Sequence, residues 1–231
     1  LYQITKCLIL KVLLNTIFNI KKIVYLSFIM NSLEKIQFVL KEHDLQYYWK
    51  ILFEKNKSND LPYHNLFHTQ CVLIYSYLIS DSLKISKEEI RKILVAAIFH
   101  DFNHSGGKLT DDLNVKEAIS CLLKYSKEDN NTNKDIINII KATQYPYVVS
   151  ESDLTIGQKI IRDADLLQMV EPNSLNQVIR GLLIHELKVP YEKLKETQLN
   201  FIKGVKFYTD YAKDKFESQK EFLISNLDII L

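Results

Sequence analysis

The chain has 231 residues, 47% hydrophobic and 25% charged, which is enough for one substantial core and excludes a disordered or fibrous protein. Its 30 basic and 28 acidic residues are scattered without a basic stripe, so a small-molecule partner is expected and a nucleic acid is not. The cysteines Cys7, Cys71 and Cys121 are odd in number and lack a CxxC spacing, which argues against a disulfide framework and for a reducing, cytoplasmic setting.

In residues 1–29, Lys11, Lys21 and Lys22 break each apolar run before it reaches the roughly 20 residues of a membrane span. These residues are expected to be an upstream extension before a start at Met30, with a weak membrane-associating or packing N-terminal helix as the alternative; no membrane partner is expected for the domain that follows. Residues 30–231 form the expected domain. Helical spacing of apolar residues begins with Leu33, Ile36, Val39 and Leu40, then Leu45, Tyr48, Trp49 and Leu52. After the polar loop "EKNKSNDLP", one helix is expected to run from "YHNLFHTQ" onward. Ser86 and Glu89 suggest a capping box for "KEEIRKILVAAIFHDF", a helix expected to stop at Gly106 and Gly107. Asp111 is a candidate N-cap for "DLNVKEAISCLLKY". Further helices are expected at "KDIINIIKATQ", "IGQKIIRDADLLQMV", "LNQVIRGLLIHELKV", "YEKLKETQLNFIKGVKFYTDYAKDKF" and "QKEFLISNLDII". No stretch alternates with period two long enough for a strand. The expected fold is all-α, a bundle of about nine helices with any site built between facing helices.

The residues that break this apolar pattern carry the chemistry. His64 and His68 are four apart, which on a helix puts both on one face. His100 and Asp101 end the most apolar helix, and Asp163 and Asp165 interrupt another, where a buried carboxylate is costly unless a cation or hydrogen-bond donors compensate it. His68, His100, Asp101 and Asp165 together make a nitrogen and oxygen donor set suited to a transition metal with room for water. Asp163 reads as the partner of a nearby lysine or arginine. His43 and His185 read as ordinary packing or surface residues.

The H…HD…D order resembles the HD-domain metal-dependent phosphohydrolases. More narrowly, "YHNLFHTQ", "HDFNHSGG", "IIKATQYP", "ADLLQ" and "SQKEFL" are similar to elements of the class I cyclic nucleotide phosphodiesterase catalytic domain, in register from about Pro62 to Phe222. The resemblance implies that His68, His100, Asp101 and Asp165 hold a tight metal ion, such as Zn²⁺. Asp101 would bridge to a second ion, Mg²⁺ or Mn²⁺, with a hydroxide between the two as nucleophile. It implies His64 as general acid, His104 as a residue orienting metal-bound water, and Tyr63, Gln219 and Phe222 as substrate contacts, the last two clamping the base. The expected activity is hydrolysis of a 3′,5′-cyclic nucleotide to the 5′-monophosphate. The alternatives are an HD-type phosphohydrolase acting on nucleoside monophosphates or other phosphoesters, and a domain that binds a nucleotide or metal without turnover. The interval from Asp101 to Asp165 is shorter than in the animal enzymes, so walls of their nucleotide pocket are expected to be missing. Base preference and oligomeric state are not specified by the sequence.

Overall fold

The computed structural model describes residues 34–171 and 174–230, with the side chains of 228–230 left aside. The segment 1–29 lies outside the described residues, as do Leu33 and Cys7. Two compact units divide the chain, 1–39 and 40–231. In the first, the described residues 34–39 are helical. Everything below concerns the second.

The described residues form helices and turns and no strand, so the all-α expectation holds. In chain order the helices are α1 (34–42, of which 40–42 belong to the second unit), α2 (Gln46–Lys55), α3 (Leu66–Ser82), α4 (Lys87–Phe99), α5 (Asp111–Tyr125), α6 (Asn130–Lys141), α7 (Ile156–Val170), α8 (Leu194–Gly204) and α9 (Asp210–Ile230). A π-helical segment, Gln177–Glu186, and two single 3₁₀ turns complete the set. α4 is the centre: it packs against α2, α3, α5, α6 and α7, and Ile93 through Phe99 are all buried. This C-terminal half of α4 is apolar on every face and so has to sit where neighbours surround it. Each large apolar side chain buried there contributes about 1.5–3 kcal/mol.

Local chemistry sets the ends of these helices, and in several places it differs from the sequence pattern. α3 begins at Leu66 rather than near Tyr63, because Asn65 Oδ1 accepts the backbone N–H groups of Phe67 and His68 at 2.9 and 3.1 Å. Such a cap is worth about 1 kcal/mol. His64 therefore lies ahead of the helix that carries His68, and the two are not on one helical face. Ser86 caps α4 through the Glu89 N–H, but Glu89 spends its carboxylate on Lys92; the reciprocal capping box belongs to Thr155 and Gln158 at the start of α7. α4 stops at Phe99, well before Gly106 and Gly107, whose φ values of +65° and +79° serve the loop that follows. Asp111 is the first residue of α5 and Thr110 occupies the capping position.

The expected long helix from Tyr191 to Phe216 is broken between Gly204 and Asp210. Asp163 explains the break. Its carboxylate accepts the N–H of Tyr208 at 2.9 Å and both the N–H and Oγ1–H of Thr209 at 2.7 Å. A buried carboxylate thus holds the entry to α9, in place of the basic partner the sequence suggested. Burial raises its pKa to about 6 despite these donors.

Candidate metal centre

α3, α4 and α7 bring His68, His100, Asp101 and Asp165 to one point. His68 sits in the first turn of α3, placed by the Asn65 cap. His100 follows the last residue of α4, and Asp101 opens the next turn, its carbonyl accepting Ser58 Oγ–H at 3.2 Å and the His104 N–H at 3.0 Å. Asp165 lies on α7. His68 Nε2 is 3.2 Å from Asp101 Oδ2 and 3.1 Å from Asp165 Oδ1; His100 Nε2 is 3.1 and 3.6 Å from the same two atoms.

The far side of each ring fixes which atom faces the others. His68 Nδ1 meets Gln168 Oε1 at 2.6 Å, and His100 Nδ1 meets the Ala97 carbonyl at 2.8 Å. Both acceptors require a proton on Nδ1, so in the neutral rings both Nε2 lone pairs face inward, 3.2 Å apart. Two lone pairs and two carboxylates held this closely repel one another unless a positive charge lies among them. Neighbouring donors around an ion at about 2.0–2.2 Å are themselves about 3–3.5 Å apart in tetrahedral or octahedral shells, so the donor set fits a divalent metal. Without metal, protons take that place: burial disfavours charged His68, yet the hydrogen bonds it donates to Asp101 and Asp165 outweigh this and push its pKa up to about 9. His100 moves the same way. The charge of His100 holds Asp101 well below the carboxylate range against the opposing effect of burial.

A second group stands beside this one. His64 Nδ1 meets Glu186 Oε2 at 2.5 Å, and Glu186 Oε1 accepts the N–H groups of Tyr63 and His64 at 2.6 and 3.1 Å. Burial raises the pKa of the Glu186 carboxyl, but these bonds and the His64 ring more than offset it, and the net shift is downward. The sequence reading missed Glu186. Its one local signal was a charged residue in the apolar run "VIRGLLIHEL". Gly181 lets the π-helical segment approach Pro62, since a Cβ there would lie 2.5 Å from the Pro62 carbonyl oxygen. Gly107 does the same against the Glu186 carbonyl. The i→i+5 winding, seen in the 2.8 Å bond from Leu187 N–H to Leu182 O, turns Glu186 inward while His185 faces solvent.

His104 stacks on His64, with ring centroids 3.7 Å apart and planes at 27°. One nitrogen of each ring and a Glu186 carboxylate oxygen lie within 4.8 Å of one another, but stacking keeps the two rings' lone pairs in near-parallel planes, so this trio is less suited to share an ion than the first group. His104 Nδ1 accepts the Gly106 N–H at 3.1 Å, and its Nε2 lies 3.0 Å from Asn114 Nδ2. Burial, and then His64, push its pKa down to about 4, so the ring is neutral. The structure thus brings His104 to His64.

A cavity of 360 Å³ exposes His64, His104, Asp101 and Asp165 together, with Tyr63 in its wall. Tyr63 is buried and its hydroxyl donates to Met169 Sδ at 3.3 Å. Gln219 and Phe222 lie on α9 and are not among the lining residues; Phe222 is 53% exposed. The aromatic wall comes from Tyr145, Tyr147 and Phe201 instead.

Residues 66–170 match the HD domain family. That span runs from the first residue of α3 to the last of α7 and contains all four converging side chains, whereas His64 and Glu186 fall outside it. The match supports assignment of this stretch to the HD-domain superfamily and, with the donor set, a metal-dependent hydrolase. No curated protein matches the chain. Among the described residues, no helix is long and apolar enough to cross a membrane.

Proposed function

We propose that the HD segment and the acid pair beside it form a phosphodiesterase that opens a 3′,5′-cyclic nucleotide to the 5′-monophosphate. The observation that carries this reading is His64, held in the cavity by Glu186 and separate from the four converging side chains. His68, His100, Asp101 and Asp165 would hold the tight ion, Zn²⁺ by donor type, with Asp101 reaching toward a second, Mg²⁺ or Mn²⁺. Such ions supply Lewis acidity that offsets phosphate charge.

The remaining work falls to the protein's own groups. In its doubly protonated form, with Nδ1–H donated to Glu186, His64 has the Nε2 proton left to hand to the departing ribose oxygen, and the ring returns to neutral as the alkoxide becomes a hydroxyl. That alkoxide is a poor leaving group, so the diester needs the proton most. Glu186 fixes the ring orientation and sets a negative charge beside the acid form, and neutral His104 supports the ring face without adding charge. A second reading, an HD-type phosphohydrolase acting on monophosphates, is favoured by the position of Gln219 and Phe222 away from the cavity wall. Purified chain loaded with Mn²⁺ or Zn²⁺ separates the two when assayed against cyclic AMP, cyclic GMP and a mononucleotide panel. Release of 5′-monophosphate from a cyclic substrate is expected. Phosphate release from mononucleotides alone would replace this reading with the second.

A further inference from the structure

The loop between α6 and α7 carries Tyr145 and Tyr147 into the cavity and is tied down along its length. Arg162 of α7 is 1% exposed and bonds both ends of the loop, Nε to the Ala142 carbonyl at 2.7 Å and Nη2 to the Val149 carbonyl at 3.2 Å. Its guanidinium carbon lies 3.8 Å from the centroid of Tyr147, a cation–π contact that fixes that ring from behind. Between these points Asp111 Oδ2 accepts the Tyr145 N–H at 2.6 Å. Tyr145 itself remains 57% exposed, with its ring centroid 5.6 Å from Tyr147 and 6.1 Å from Phe201. A large ring held by a braced backbone yet left uncovered is pre-organised for a flat partner.

We infer that Tyr145, backed by Tyr147 and Phe201, is the platform on which the base of a nucleotide stacks. The inference rests on the nucleotide reading of the cavity and deepens it. The same cavity presents acid and metal-type groups as well as an aromatic wall, which matches a ligand with a phosphoester at one end and a planar ring at the other. Stacking on an aromatic side chain tolerates any base, so the platform confers preference for a nucleoside over a bare sugar phosphate rather than for one base. It also accounts for a binding site without Gln219 and Phe222. Arg162 and Asp111 act as positioning residues.

Calorimetric titration of the full chain with AMP and with ribose 5-phosphate isolates the contribution of the base as a ratio of Kd values, without any need for turnover. Wild type should bind AMP about tenfold or more tightly than ribose 5-phosphate. Tyr145→Ala should bring the ratio close to one, and Tyr145→Phe, which keeps the ring, should restore it. Tyr145 is exposed, so its replacement should leave the circular dichroism spectrum unchanged. Absence of AMP binding, equal wild-type affinities, or a ratio untouched by Tyr145→Ala would overturn the platform. Cyclic AMP hydrolysis by the same wild-type preparation, measured alongside, reads the proposed reaction separately.

Discussion

Two clusters built from the same residue types lie side by side in this protein, and they differ in what the outer nitrogen of each histidine touches. In the cluster of His68 and His100, Nδ1 meets a neutral amide or carbonyl oxygen, and the opposite lone pairs converge with two carboxylates. In the cluster of His64 and His104, one ring leans on the Glu186 carboxylate and the other lies flat beneath it, so the two ring planes are stacked. The geometry of the first suits a cation, and under the proposed reaction the second would hold and move a proton. A histidine's role here follows from its hydrogen-bond partner, and counting histidines along the chain does not separate the two.

Breaking the first cluster should have the largest effect. Asp101→Ala removes a carboxylate facing both ring nitrogens, so metal content and hydrolysis should be lost together. Elemental analysis beside a rate assay checks this. Wild-type metal content in the variant would remove Asp101 from the ligand set.

A smaller effect is expected in the second cluster. Glu186→Gln keeps the shape of the side chain but gives up its charge, so hydrolysis of a cyclic nucleotide should fall about tenfold to a hundredfold with metal content unchanged. A p-nitrophenyl phosphodiester, whose leaving group needs little protonation, should be nearly unaffected. Equal loss on both substrates would show that Glu186 serves packing alone.

The smallest effect is a pH dependence of the metal-free protein. The pKa of His68 stands at about 9, above its ordinary 6.5, so its contribution to stability is complete below pH 6.5 and is lost as pH rises through about 9. Chelator-treated protein should therefore melt at lower temperature at pH 9 than at pH 6.5. The gain in Tm on adding Mn²⁺ should grow over the same interval, because the ion competes with those protons. A gain that shrinks with rising pH would argue against histidine ligation.

Legibility in the sequence followed the same division. His100, Asp101 and Asp165 stood out because charged or polar groups interrupt apolar helices, and His68 by its spacing from His64; both signals are local. The helical character of the chain was legible for the same reason, since the apolar period is written into each segment. Glu186 was not, because its partner lies 122 residues away and its orientation depends on a π-helical winding and on glycines whose roles show only in three dimensions. Asp163 looked like half of an ion pair; its partners are two backbone amides and the Thr209 hydroxyl, about 45 residues away, which no local sequence pattern marks. The break before α9 was hidden for that reason as well. The spacing of His64 and His68 suggested one continuous helix, and the Asn65 cap that separates them shows in the structure.

The separation of the two clusters is tested most directly by the metal content of His64→Ala and His68→Ala, loaded identically, desalted and analysed for Zn²⁺ and Mn²⁺ per chain. His64→Ala should keep the wild-type content and His68→Ala should lose it. Metal loss from His64→Ala, or full retention by His68→Ala, would contradict the division of roles between the two histidines.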